Sequence, residues 1–177
     1  MSSETHIHVS DIPPEGLFLN FSELAKVIPE IDEYCSVSHA DGRLEIHKSA
    51  SEIKISGWVR GRLELTCDRC LNSFASDVET SFFYLLKPSR EFHRELKPDH
   101  ELSRDEIDVY WYEDGEIRAE DLFREQIVLQ LPMRLLCSPG CKGICPGCGE
   151  DLNLSKCRCK EAKNHGPFAV LAGIKTV

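Results

Sequence analysis

The sequence predicts an α+β protein with a curved antiparallel β-sheet or open barrel, one main packing helix and a small cysteine-rich C-terminal module. Three observations predict this. Two runs of alternating apolar and polar residues flank a Cys-x-x-Cys and are typical of long strands with one buried face. Residues 119–131 repeat with the period of a helix, and six of the nine cysteines fall in residues 134–163. We therefore expect a β-rich body over residues 1–133, the module over 134–163 and a tail over 164–177.

The two long strands follow from their alternation. In the first run the apolar residues are Ile53, Ile55, Val59, Leu63 and Leu65. Gly57 and Gly61 fill the gaps in that pattern, and glycine inside a strand commonly marks a bend or bulge, which predicts a curved sheet. In the second run one face carries Phe74, Val78, Phe82, Tyr84 and Leu86. We expect a hairpin with Cys67 and Cys70 at its tip.

Shorter strands and one loop complete the body. Leu44 and Ile46 indicate a strand that follows an Asp41-Gly42 turn. Another strand is indicated by Ile107, Val109 and Trp111. Residues 87–106 contain two prolines and many charges without a period, which is typical of an exposed loop or a partly disordered linker.

The main helix is predicted over residues 119–131. Acidic residues occupy its first turn, and Pro132 ends it. Its apolar face is predicted to hold Leu122, Phe123, Ile127, Val128 and Leu131. Such a face should lie across the sheet. Residues 21–28 are predicted to form a second, short helix.

Charge and hydropathy narrow the class of protein. The formal net charge is −9, which argues against non-specific electrostatic binding to nucleic acid phosphates. Residues 91–125 hold 13 acidic against 5 basic residues, whereas residues 134–163 hold 6 basic against 3 acidic. No segment approaches the roughly 20 apolar residues that span a bilayer, and the start lacks the features of a leader. We therefore expect a cytoplasmic protein without a membrane partner.

The cysteines predict metal binding. Nine cysteines in a reduced compartment indicate a metal site more often than disulfides. The strongest signal is Cys145-Pro-Gly-Cys148-Gly followed by Cys157-Arg-Cys159, because four thiolates fill a tetrahedral zinc shell and glycines permit the tight turn. The single residue between the last two cysteines is tighter than the usual spacing. The alternative interpretation is a set of free buried thiols, or disulfides that form after the cell is broken.

A second zinc site is predicted from the remaining pairs, Cys67 with Cys70 and Cys137 with Cys141. It would fasten the chain after the helix to the hairpin tip and replace core that a small sheet lacks. A competing partition uses Cys141, Cys145, Cys148 and one of the last two cysteines, so the chain would carry one or two zinc ions. Cys35 is left over as a small buried residue. We treat all seven histidines as non-ligands.

An enzyme is not predicted. No P-loop, GxGxxG or HExxH motif is present in the sequence. Neither Cys-x-x-Cys opens a helix after a strand, as a redox motif would. Eight cysteines in two closed sites leave no open coordination position for catalysis, and no small-molecule substrate is indicated.

Four segments in order resemble the YceD family, the large ribosomal RNA subunit accumulation proteins. They are Leu63-Glu-Leu-Thr-Cys67-Asp-Arg-Cys70-Leu-Asn-Ser-Phe74, Asp105-Glu-Ile-Asp108, Ile127-Val-Leu-Gln-Leu-Pro132 and Pro167-Phe-Ala-Val-Leu-Ala172. The resemblance covers roughly residues 50–172, and the family's middle Cys-x-x-Cys maps onto Cys67 and Cys70. It implies a bacterial or organellar factor for the synthesis, processing or stability of large-subunit (23S) ribosomal RNA, with no catalytic residues to carry over.

Two hypotheses follow for the partner. In the first, the acidic body recognises ribosomal protein while the basic zinc module touches ribosomal RNA or its precursor particles through Lys142, Lys156, Arg158, Lys160 and Lys163. In the second, a zinc-stabilised module binds a basic ribosomal protein through residues 91–125 and never contacts RNA. An oxidoreductase working through Cys67 and Cys70 is the weakest alternative. We expect the apolar residues of the C-terminal tail, Phe168, Val170 and Leu171, to pack against the protein's own core rather than bind a partner.

Overall fold

The computed structural model contains three long strands in which buried and more exposed residues alternate. It describes residues 5–50, 52–89, 109–112, 115–157 and 159. The chain forms two compact units. The first takes its described residues from Met1–Leu65 and Ala75–Met133, and the second from Thr66–Phe74 and Arg134–Val177. The sequence prediction instead placed Thr66–Phe74 in the β-rich body over residues 1–133. The predicted tail over 164–177 lies outside the described residues, and the three-part division stays a prediction.

The fold is α+β and consists mostly of strands. The described strands are β1 His6–His8, β2 Leu17–Phe21, β3 Glu30–Asp32, β4 Cys35–Lys48, β5 Ile53–Thr66, β6 Ser73–Pro88, β7 Val109–Tyr112 and β8 Glu116–Arg118. The described α-helices are α1 Leu24–Val27 and α2 Ala119–Gln130. Within these residues six strands form one open sheet in the order β2-β4-β5-β6-β7 with β3 beside β4, and β1 pairs with β8 in a second sheet.

The long strands confirm the predicted alternation. In β5 every predicted inward residue from Ile53 to Leu65 is buried, and β6 follows it as its neighbour in the sheet. The predicted Asp41-Gly42 turn is wrong, because both residues lie inside the 14-residue strand β4. Gly42 is needed there for packing: an added Cβ would lie 2.6 Å from the Phe123 ring. A glycine that reads as a turn signal is here a site of close approach.

The sheet is not purely antiparallel, which corrects the prediction. Strand β7 pairs with β6 in parallel, with Leu85 opposite Val109. The predicted strand at Val109 and Trp111 is confirmed, whereas Ile107 lies outside the described residues. Most of the predicted loop over 87–106 lies there too, although β6 continues to Pro88. Parallel pairing needs a long crossover connection, which alternation alone does not predict.

Helix α2 packs on the apolar face of the sheet, as predicted. Its Leu122, Phe123 and Ile127 are buried, and the Phe123 ring meets those of Phe21 and Phe82 edge to face at 5.2 and 5.9 Å. Val128 is exposed, so its predicted inward position is wrong. The short helix is confirmed only from Leu24, since β2 extends through Phe21.

No helix in the described ranges has the length and apolar content that a bilayer crossing requires.

Candidate metal centre

The second unit contains eight cysteines in two groups. The first group is Cys67, Cys70, Cys137 and Cys141, and the second is Cys145, Cys148, Cys157 and Cys159. Within each group the four sulfur atoms lie within 4.8 Å of one another. The competing partition required Cys141 to lie with Cys145 and Cys148. In the structure Cys141 lies with the first group instead. Which ligands a metal takes stays a prediction.

The turn after β5 shapes the first group. The Cys67 N–H donates to the Asn72 carbonyl at 3.0 Å, and the Leu71 N–H donates to the Cys67 carbonyl at 2.9 Å. Leu71 adopts a φ of 60°, in the left-handed region that closes such a turn. This compact turn directs both thiols of the Cys-x-x-Cys toward one point.

Hydrogen bonds of Asp68 and Arg69 hold the segment that carries Cys137 and Cys141 against that turn. The Asp68 N–H donates to the Leu135 carbonyl at 2.8 Å, and the Leu135 N–H donates back to the Asp68 carboxylate at 2.7 Å. The Arg69 guanidinium donates to the Cys141 carbonyl at 2.9 Å. Backbone and side-chain hydrogen bonds therefore help to fix Cys137 and Cys141 opposite the turn.

The sulfur spacing of the first group fits zinc. The Sγ atoms of Cys67 and Cys141 lie 3.8 Å apart, and those of Cys70 and Cys137 lie 3.7 Å apart. A tetrahedral zinc with Zn–S bonds of about 2.3 Å has sulfur atoms about 3.8 Å apart. Cys67, Cys70 and Cys141 are buried, with Phe74 and Leu136 packed against them. Such a shell has no open position for water.

Hydrogen bonds divide the thiols of the first group by acidity. Burial acts to raise the pKa of Cys67, but N–H donors, that of Cys137 foremost, outweigh it and lower this pKa to about 6. The Asn72 N–H acts to lower the pKa of Cys70, yet burial and the adjacent thiols raise it to about 12. The metal-free group therefore favours thiolates at some positions, and metal binding must displace protons from the others.

The second group is local and more exposed. Cys145 is buried, whereas Cys148 and Cys159 are exposed. The Gly149 N–H donates to the Cys145 carbonyl at 2.8 Å, and Gly149 has a φ of 77°, as the tight turn requires. The Gly147 N–H, 3.4 Å from the Cys145 sulfur, is the leading cause that lowers the pKa of that thiol to about 7.

Cys157 and Cys159 both join the second group although a single residue separates them. The Cys148 and Cys157 sulfur atoms lie 3.5 Å apart, and the Cys159 N–H donates to the Cys157 sulfur at 3.1 Å. Thiol contacts, that with Cys148 first, raise the pKa of Cys159 to about 12. One residue between two cysteines is therefore compatible with four clustered sulfurs.

Asn153 and Asp151 support the site, and the cysteine spacing gave no sign of them. The Asn153 amide donates to the Cys141 sulfur at 3.4 Å and accepts the Lys142 N–H at 2.8 Å. The first contact is the leading cause that lowers the pKa of Cys141. Asp151 accepts the Asn153 N–H at 2.8 Å and the Asn72 amide at 2.6 Å. An Asp-x-Asn at a turn is the one sequence signal that points to them.

A protein-family model matches the part of the chain that contains both cysteine groups. The model of the large ribosomal RNA subunit accumulation protein YceD matches residues 55–175, more than half of the chain. The chain belongs to the YceD family. The match begins in β5 and covers both cysteine groups, so the predicted resemblance is confirmed.

Two curated relatives carry the YceD name. A chloroplastic large ribosomal RNA subunit accumulation protein homolog of Arabidopsis thaliana is 24% identical over 168 residues, 82% of this chain and 52% of the relative. Its Zea mays counterpart is 24% identical over 144 residues, 70% of this chain and 49% of the relative. The chain thus spans about half the length of these relatives. No solved structure matches it.

The other predicted residues of this YceD-family chain fall in different places. Lys142 and Lys156 are exposed, whereas Arg158, Lys160 and Lys163 lie outside the described residues. Cys35 is buried in β4, where burial raises its pKa. His6 pairs with Glu116 rather than with any cysteine.

Proposed function

We propose that this chain is a non-enzymatic ribosome-biogenesis factor that supports the synthesis, processing or stability of large-subunit (23S) ribosomal RNA. The observation that carries the proposal is the pair of four-sulfur groups in a region that the YceD model covers. The family's name describes accumulation of ribosomal RNA and mentions no reaction. Four thiolates also complete a tetrahedral shell, which suits a structural ion rather than a catalytic one.

Zinc in both groups would stabilise the second unit. The buried cluster of that unit consists of Cys67, Cys70 and Cys141, with only Phe74 and Leu136 packed on it among the described residues. So little apolar surface leaves a small unit marginal, and a bound structural metal contributes its binding free energy to folding. We therefore assign two Zn²⁺ ions per chain, one to each group.

The basic residues in the sequence of the second unit are the proposed phosphate contact. Lys142 and Lys156 are exposed, and the sequence adds Arg158, Lys160 and Lys163. Replacing Lys142, Lys156 and Arg158 with Glu should weaken co-sedimentation with large-subunit precursor particles. Unchanged sedimentation of this triple variant would remove the phosphate contact from the proposal.

A second function is favoured by the acidity of residues 91–125. Their 13 acidic against 5 basic residues would suit a basic ribosomal protein, with no contact to RNA. Ultraviolet crosslinking in cells separates the two functions. Crosslinks to large-subunit ribosomal RNA support the first, and crosslinks to protein alone support the second.

Depletion of the protein tests the main proposal. The ratio of large-subunit to small-subunit ribosomal RNA should fall on depletion and recover when the wild-type chain is expressed. Cys67→Ser should fail to restore it, whereas the matched control Cys35→Ala should restore it because Cys35 lies in neither group. An unchanged ratio after depletion would contradict the proposal.

The proposed compartment is the cytoplasm. A reducing compartment keeps thiols free for metal, which suits nine cysteines without a disulfide among the described residues. The two relatives are named as chloroplastic proteins. Fractionation of cells that express the tagged full chain tests this placement, and recovery with membranes would contradict it.

A further inference from the structure

The exposed face of the six-stranded sheet carries alternating aromatic and guanidinium side chains. Strands alternate their faces, and Leu44 and Val59 are fully buried on the inner one. Their sequence neighbours therefore point outward. We call the resulting row the aromatic–arginine ladder, and its members are Phe18 of β2, Arg43 of β4, and Trp58 and Arg60 of β5.

Contacts between neighbours make the row continuous. The Arg43 guanidinium carbon lies 5.8 Å from the centre of the Phe18 ring, and that of Arg60 lies 5.2 Å from the Trp58 ring. Arg43 and Trp58 are directly opposite each other in the β4–β5 register. Side chains at such facing positions lie within contact distance. Four planar or ring groups thus follow one another across three strands.

This surface is suited to nucleobases. Unpaired bases stack on aromatic rings and on guanidinium planes, and every base has such a face. Phe18 keeps 49% of its surface exposed and Phe83, on the next strand β6, keeps 62%. We infer that the aromatic–arginine ladder binds single-stranded RNA by stacking its bases. This inference rests on the proposed function and names the RNA feature that the body recognises.

A groove beside the ladder extends the site. It is open to solvent, its volume is about 530 Å³, and its lining includes Arg60, Arg62, His39, Asp41, Asp77 and Glu79. Carboxylates accept hydrogen bonds from the amino groups of bases, and guanidinium groups donate to base acceptors. The same carboxylates repel phosphates. The site therefore favours base edges over the RNA backbone.

That preference reconciles RNA binding with a net charge of −9. Within the ladder and the groove, the lysine or arginine side chains that could neutralise phosphates are Arg43, Arg60 and Arg62. Asp41 and Asp77 lie 3.8 Å from Arg60 and Arg62 respectively. Three neutralised phosphates on a single strand give a slope of log affinity against log salt of about −2. A much steeper slope would indicate backbone binding and overturn the inference.

Tryptophan fluorescence tests the ladder directly. The chain has two tryptophans, so Trp111→Phe leaves Trp58 as the only one. A single-stranded oligouridine of about eight nucleotides should quench Trp58 on binding, since stacked bases cover the ring. A duplex of equal length should bind at least about fivefold more weakly, because its bases are already paired. Equal binding of both RNAs would overturn the inference.

Matched variants locate the binding. Arg43→Gln with Arg60→Gln should weaken oligouridine binding by about tenfold, and Trp58→Leu by a similar factor. The control Lys26→Gln with Arg118→Gln removes the same charge from exposed positions of α1 and β8, and should change binding by less than about twofold. Circular dichroism must show that all variants fold. Equal losses in the ladder variant and the control would overturn the inference.

The two proposals can fail separately. If ladder variants bind like the wild type while depletion still lowers large-subunit ribosomal RNA, the inference is wrong and the proposed function stands. If depletion leaves that RNA unchanged, the proposed function fails whatever the oligouridine result. A purified basic ribosomal protein that binds through the ladder in the absence of RNA binding also overturns the inference.

Discussion

The two cysteine groups of the second unit differ in assembly and in exposure. In the first group, sulfur contacts of 3.7 and 3.8 Å join residues that are 67 and 74 positions apart, and three of its four cysteines are buried. In the second group a sulfur contact of 3.5 Å joins residues that are 9 positions apart, and Cys145 alone is buried. One group therefore links distant segments, whereas the other folds a short stretch of chain.

This difference predicts unequal contributions to stability. Closing a loop of about 70 residues costs the unfolded chain about 2 kcal/mol more entropy than closing one of 9 residues. A metal cross-link across the longer loop removes more freedom from the unfolded state. The first group should therefore stabilise the fold more, and the second should exchange its metal more readily.

Breaking the first group should have the largest effect. Cys67→Ser removes a buried ligand, and we expect it to lower the free energy of unfolding by at least about 4 kcal/mol and to release one zinc per chain. Urea denaturation and metal analysis measure both quantities. Cys35→Ala is the control, expected to cost about 1 kcal/mol and to retain two zincs. Two retained zincs in Cys67→Ser would contradict the assigned ligands.

Breaking the second group should cost less. Cys148→Ser removes an exposed ligand, and we expect one zinc to be lost with a drop of about 2 kcal/mol in the free energy of unfolding, since the shorter loop contributes less. The same urea and metal measurements apply. A drop equal to that of Cys67→Ser would show that the two groups fold as one cooperative unit.

Exposure should separate the groups kinetically. A thiol-modifying reagent should release zinc in two phases, with the second group at least about tenfold faster because Cys148 and Cys159 are exposed and can react without opening the fold. A coloured zinc chelator follows both phases. Cys148→Ser should lack the fast phase and Cys67→Ser the slow one. A single phase in the wild type would mean that burial does not protect the first group.

Periodicity explains how much of the body could be predicted. Strands β5 and β6 and helix α2 each bury one face of a regular pattern, so apolar spacing located them. Strand β4 was shortened by the prediction because Asp41-Gly42 is a local turn signal, while pairing with β5 and contact with Phe123 keep Gly42 extended. The parallel β6–β7 pair depends on a crossover that no local pattern records.

Chemistry explains what could be predicted of the site. Cysteine spacing identified both groups because metal binding restricts the distances between ligands. Asp68, Asp151 and Asn153 were missed because a polar side chain that supports the cysteine-bearing segments follows no period. Such contacts form between segments that are distant in sequence, as the bond from the Leu135 N–H to Asp68 illustrates.

Removing the support of Asn153 should have the smallest effect and should touch the first group alone. Asn153→Ala deletes the amide that donates to the Cys141 sulfur and the oxygen that accepts the Lys142 N–H, so we expect a loss of about 1–2 kcal/mol with two zincs retained. The slow phase of zinc release should accelerate, and the fast phase should not. Asn20→Ala, at an exposed position of β2, should change stability by less than about 0.5 kcal/mol. Acceleration of the fast phase instead would place Asn153 in the support of the second group and reverse this assignment.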